Sequence, residues 1–172
     1  MTVLGRATKL AVIATCLLAW LSSSDPAHAQ SKKVVGSGKA LAVLAETKML
    51  PGDDPKHEVT VVRRLDVQRD DALGEAQVSV VSISDYIAGN GPHRGYRTIT
   101  TVNSDKVFTA YEGTTKTTPQ TGGPPEVAFS GKYRYVGGTG QWKGIAGGGT
   151  YRGRLTPEGV VYQYEGEYEL KQ

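Results

Sequence analysis

The sequence predicts an all-β domain closed as a barrel, and three observations carry that prediction. Beyond residue 29 no segment of credible length repeats apolar residues at the helical period. Stretch after stretch instead alternates apolar with polar residues at a period of two, broken by Gly, Pro, Asn and Asp clusters. Residues 133–151 then bring glycines and aromatics together as a barrel corner needs, with Gly137, Gly138, Gly140 and Gly144 around Trp142.

Residues 1–29 read as a signal peptide. A basic start at Arg6 and Lys9 is followed by an apolar run over residues 10–21 and a small-x-small site at Ala27-His28-Ala29, so cleavage is expected before Gln30. A run of about a dozen residues is shorter than the roughly 20 a membrane-spanning helix needs. The mature chain is therefore expected to be exported, periplasmic or secreted, without stable membrane insertion. Cys16 does not read as a lipid anchor, because Thr15 before it is bulkier than such a site takes. The sequence holds one cysteine, Cys16, so cleavage leaves no thiol for a disulfide or for thiol chemistry. The remaining length suits one compact domain. A net charge of +3, scattered rather than blocked, gives no footprint for nucleic acid or an anionic membrane.

Residues 30–38, rich in Lys, Ser, Gly and Val, read as a flexible lead-in, and the barrel domain is placed at 39–172. The apolar run 40–45 reads as a strand, and Pro51 to Pro55 as a loop. In 58–67, Val59, Val61, Leu65 and Val67 share one face with Arg63, the odd cation of an apolar row. Arg63 lies near a strand end, or a bulge shifts the phase there, or it stands inside the barrel mouth, where it would need a partner to offset desolvation. Residues 76–84 read as a strand with a β-bulge where the apolar parity shifts between Val80 and Val81. Gly89 to Gly95 form an irregular loop with His93 as a rim residue. Residues 96–102 and 106–117 read as a hairpin across Asn103-Ser104-Asp105.

In the last third the faces are clearest. Phe129, Gly131, Tyr133 and Tyr135 share one face, as do Tyr151, Gly153 and Leu155, and then Val160, Tyr162, Tyr164, Gly166, Tyr168 and Leu170. Their opposite faces carry Lys132, Arg134, Arg152 and Arg154 against Glu165, Glu167 and Glu169, which favours pairing of the last two strands. Glu165 and Glu167 as an acid–base pair is the weaker reading, because arginines nearby keep carboxylates ionised. The tyrosine-rich inner face is either packing or the lining of a cavity.

Other chemistries lack their residues. The glycines of 137–149 are followed by no Lys-Ser/Thr and no helix, so they do not form a phosphate loop. Only His57 and His93 follow residue 29, far apart in sequence and without a spaced carboxylate set, so no metal and no cofactor is expected. No Gly-x-Ser-x-Gly elbow occurs.

Val136-Gly-Gly-Thr-Gly-Gln-Trp-Lys-Gly-Ile-Ala-Gly147, followed by a strand from Thr150-Tyr151 and by the terminal Tyr162-x-Tyr164-x-Gly166-x-Tyr168, resembles the glycine-aromatic signature of the allene oxide cyclase and dirigent barrels. The resemblance implies an eight-stranded antiparallel barrel with an apolar cavity, often trimeric, in proteins that cyclise an oxylipin epoxide or steer phenoxy-radical coupling. The signature carries the fold and no catalytic residue. Three readings follow: a binding module for a small apolar or aromatic ligand, with Tyr133, Tyr135, Tyr151, Tyr162, Tyr164 and Arg63 as its candidate ligand-binding residues; a cyclase-like or dirigent-like enzyme using the same cavity; and a solid barrel acting through its loops or as a homo-oligomer.

Overall fold

The computed structural model describes residues 30–171, so the expected leader and Cys16 lie outside the described residues. Eight antiparallel strands run in chain order, β1 (Lys32–Met49), β2 (His57–Asp70), β3 (Gly74–Ile87), β4 (Gly91–Thr101), β5 (Lys106–Thr118), β6 (Glu126–Gly138), β7 (Ile145–Thr156) and β8 (Gly159–Leu170). Each pairs with the next, and β1 pairs with β8 to close the barrel. Full closure is what removes the exposed edges of an antiparallel sheet.

The closing strand corrects the expectation of a flexible lead-in. Lys32 to Lys39 pair residue by residue with β8, from Lys32 opposite Tyr168 to Lys39 opposite Val161. Gly36 and Gly38 suggest a loop in the sequence, yet they face Tyr164 and Tyr162 directly. A methyl group on Gly36 would come within 2.5 Å of the Tyr164 phenol. The glycines are sockets for rings on the neighbouring strand. The same device recurs around the interior, where Gly95 faces Tyr111, Gly131 faces Tyr151 and Gly153 faces Phe129. A narrow barrel thereby holds many aromatics without overpacking.

Two further expectations change. β3 keeps continuous register with both neighbours: Val80 is buried inside and Val81 is exposed outside. The register shifts lie instead in β1, between Ala40 and Ala42 and between Val43 and Ala45, and in β5 between Phe108 and Thr109. On the outer faces of β7 and β8, Arg152 stands opposite Gln163 and Arg154 opposite Val161, so the expected acid–base ladder between these strands is absent. Glu167 instead faces Lys33 of β1. The Asn103-Ser104-Asp105 hairpin is present, with Ser104 at φ 67°.

The two ends of the barrel differ. At the end formed by turns 71–73, 102–105 and 139–144, Val34, Leu73, Val78, Ile99, Val107 and Ile145 are buried together with Tyr135, Trp142 and Tyr168. Trp142 sits on a single 3₁₀ turn (Gly140–Trp142) and meets Tyr168 edge-on at 5.8 Å between ring centres. This end is a filled base. The other end, formed by loops 50–56, 88–90 and 119–125 and the turn at 157–158, leads into a cavity.

Candidate functional site

The cavity is about 250 Å³ and opens at the loop end. Its wall is Val62, Val127, Phe129, Leu155 and Val160, and its deeper surface is Arg64, Arg97, Tyr111, Tyr133 and Tyr162. Ser82, Ser84, Tyr86, His93, Thr115 and Tyr151 complete one side. Broader depressions of about 1120 and 1000 Å³ lie on the outside of the sheet, open to solvent and flanked by Arg69 and Arg152. The inner cavity is the candidate site, being concave, mostly apolar and marked by a few convergent polar groups.

Of the tyrosines expected at a ligand, Tyr133, Tyr151 and Tyr162 line this cavity. Tyr135 and Tyr164 point inward too but belong to the packed layer: Tyr135 meets Tyr133 and Tyr168 edge-on, and Tyr164 meets Tyr133. Arg63 faces outward and is exposed, opposite Val81 of β3. The parity of β2 is the reverse of the one its apolar residues suggest. Val59, Val61, Leu65 and Val67 stand on the outside, and Arg64, Asp66, Gln68 and Asp70 point in. The inner row is tolerated because each of its polar groups finds a partner.

Those partners come from β2 itself, from β4 and from β8. Arg64 donates from Nε to Asp66 Oδ1 at 2.8 Å and from Nη2 to Oδ2 at 3.2 Å, with Asp66 fully buried. Arg97, on β4, donates from Nη2 to Gln68 Oε1 at 2.5 Å and to the Tyr162 hydroxyl at 2.8 Å. Its guanidinium also lies 5.0 Å from the Tyr162 ring centre and 5.9 Å from that of Tyr164. Gln68 Nε2 donates to Asp70 Oδ2 at 3.3 Å, and the Tyr164 hydroxyl donates to the same oxygen at 2.6 Å. Asp70 Oδ1 accepts from the backbone N–H of Ala72 and Leu73 in the following turn.

Nearer the mouth a second group forms. His93 Nε2 shares a hydrogen bond with the Tyr151 hydroxyl at 2.7 Å, and His93 Nδ1 one with Thr115 Oγ1 at 3.0 Å, which also meets the Tyr86 hydroxyl at 2.6 Å. Burial, followed by the nearby Arg64 charge, lowers the His93 pKa, so the imidazole is neutral at pH 7. Burial pushes the phenols of Tyr86, Tyr111, Tyr133 and Tyr151 up, and that of Tyr162 up to about 12. All of them carry their protons at neutral pH. No carboxylate lines the cavity, so it is rich in donors and carries two guanidiniums.

Arg64, Arg97 and the Asp66–Asp70 support are the residues that sequence reasoning missed. Their signal is the polar alternation Arg64, Asp66, Gln68, Asp70, which has the same period as the apolar row beside it. Among the described residues no three His, Cys, Asp or Glu side chains converge as a metal site requires. No family model matches the chain, and no curated protein matches it significantly.

Proposed function

We propose that this chain is an exported barrel of the allene oxide cyclase and dirigent type, whose cavity binds a small apolar or aromatic ligand. The observation that carries the reading is the blind 250 Å³ cavity, apolar along its wall, open at the loop end and backed by Trp142 and its neighbours at the other. Ligand pockets commonly fall at roughly 300–1,000 Å³ for drug-sized molecules. A single-ring compound suits this smaller space. The glycine-aromatic signature and the leader over residues 1–29 support the family and export parts of the proposal, and the apolar outer face at Val81, Ile83 and Tyr96 supports a homo-oligomer.

The test is thermal shift with native mass spectrometry against a panel of neutral single-ring aromatics such as toluene, phenol and benzyl alcohol. A binder at a hundredfold excess over its Kd should raise Tm by on the order of 8 °C and give a one-to-one adduct. Ser82→Phe, which fills the cavity, should abolish both effects while the barrel stays folded. Absence of any adduct and any shift across the panel, extended to the corresponding aromatic acids and amides, rejects the reading.

The pair formed by His93 and Tyr151 favours a second reading, a cyclase-like or dirigent-like enzyme. A neutral imidazole bonded to a phenol beside a substrate cavity can take or give a proton. His93→Gln separates the two readings: it removes any turnover while leaving ligand binding within a few fold.

A further inference from the structure

We propose that the cavity contains an anion subsite at Arg97, assisted by Arg64, and that its ligand is a small aromatic compound bearing a carboxylate. The proposal rests on the reading of the cavity as a ligand site and names the chemistry of the ligand's inner end.

The charges inside the barrel carry the argument. Two carboxylates and two guanidiniums point inward, yet they are not matched in the way they are used. Both oxygens of Asp66 are occupied by Arg64. Asp70 is turned away from the cavity and accepts four donors, from Ala72, Leu73, Gln68 and Tyr164. Arg97 is held only by neutral oxygens, those of Gln68 and Tyr162, and among the described residues no carboxylate lies within ion-pair distance of it. A guanidinium drawn into a barrel without a carboxylate in direct contact bears a desolvation cost that an anionic ligand would offset.

The support of Arg97 points the same way. Gln68 gives its amide nitrogen to Asp70, so its carbonyl oxygen is the end that meets Arg97. Tyr162 and Tyr164 lie against the guanidinium and fix its plane. These contacts engage Nη2 alone, and Arg97 borders the cavity with Nε and Nη1 without a partner among the described residues. Each of these is a charged N–H donor that a carboxylate accepts in a charge-assisted hydrogen bond, stronger than one to a neutral amide. The apolar wall of Val62, Phe129 and Val160 would then cover the ring, with the acid group at the floor.

Isothermal titration of the whole protein with benzoate and cinnamate, each against its amide, tests this. The wild type should bind each acid about ten- to a hundredfold more tightly than its amide, as charge-assisted hydrogen bonds imply. The preference should shrink as salt is raised, vanish in Arg97→Gln and return in part in Arg97→Lys. The Arg97 Nε–H resonance of the wild type should move with benzoate and stay still with benzamide, a readout that needs no variant. Equal affinity of acid and amide in the wild type overturns the subsite and leaves the cavity reading standing. So does an acid preference that survives in folded Arg97→Gln. Failure of acids, amides and neutral aromatics alike rejects the cavity reading, and the subsite falls with it.

Discussion

Gly36 and Tyr164 face each other across the seam where β1 meets β8, and the phenol fills the space a side chain on Gly36 would need. Asp70 lies on the other side of the same glycine, with its Cβ 2.6 Å from where a methyl group would sit. One added carbon therefore strikes the ring that closes the barrel and the carboxylate that anchors it. Gly36→Ala should destabilise the protein by about 1–3 kcal/mol, the usual cost of overpacking, read from the midpoint of urea unfolding. Gly123→Ala, in the loop before β6 with nothing within 4 Å of the new methyl, should stay within about 0.5 kcal/mol. Equal effects at the two sites would show that the socket does not constrain the fold.

β2 shows how an element can be recognised while its orientation is misread. Its extent was legible, because Val59, Val61, Leu65 and Val67 alternate cleanly, but a row of valines outside a barrel looks the same in sequence as a row inside one. The deciding fact is spatial: Gln68 meets Arg97 and Asp70 meets Tyr164 only once β2 is brought together with β4 and β8. The first residue of β2 adds a clamp at the mouth. His57 Nδ1 meets Asp53 of the preceding loop at 2.6 Å, and Nε2 meets Asp85 of β3 at 2.6 Å. Hydrogen bonding to Asp85 and then Asp53 raises the His57 pKa above its ordinary 6.5. The folded chain thus holds this proton more tightly than the unfolded one, so the clamp's contribution is complete below pH 6.5 and is lost as pH rises through the raised value. Asp53 acts in the opposite window, its pKa lowered from 3.8 chiefly by the bond to His57, and its contribution is lost as pH falls through the lowered value. Melting curves from pH 5 to pH 9, taken on about 1-unit steps, should show the wild type losing stability over the upper window and His57→Gln lacking that slope. Parallel curves would rule the clamp out.

Closure of the whole barrel depends on the segment whose composition looked least structured. The faces of β6, β7 and β8 were legible from aromatics and glycines alternating with charges, and the base around Trp142 followed from the same signature. β1 was not, since glycine, serine and lysine score as loop residues unless the opposing tyrosines of β8 are known. A chain beginning at Ala40 would leave the β8 edge unpaired from Val161 to Tyr168. Unpaired edges recruit other chains, so this truncation should aggregate on size-exclusion chromatography and lose cooperative unfolding by circular dichroism. A monodisperse, cooperatively folding truncation would return residues 30–38 to the status of a tail. Arg97 was illegible for a related reason: Tyr96 beside it is the conspicuous residue of that strand, yet it is 66% exposed on the outside while the arginine turns in.

The filled base makes the barrel a cup rather than a conduit. Whatever occupies it goes in and out by one lip, and the end that enters first is the end that leaves last. Orientation is then a matter of order: the group at the floor must pass the whole depth of the wall, and the trailing group stays at the rim beside loops 88–90 and 119–125. Additions to the trailing end, a sugar or a linker for immobilisation, project into solvent and are tolerated. The same additions to the leading end have nowhere to go.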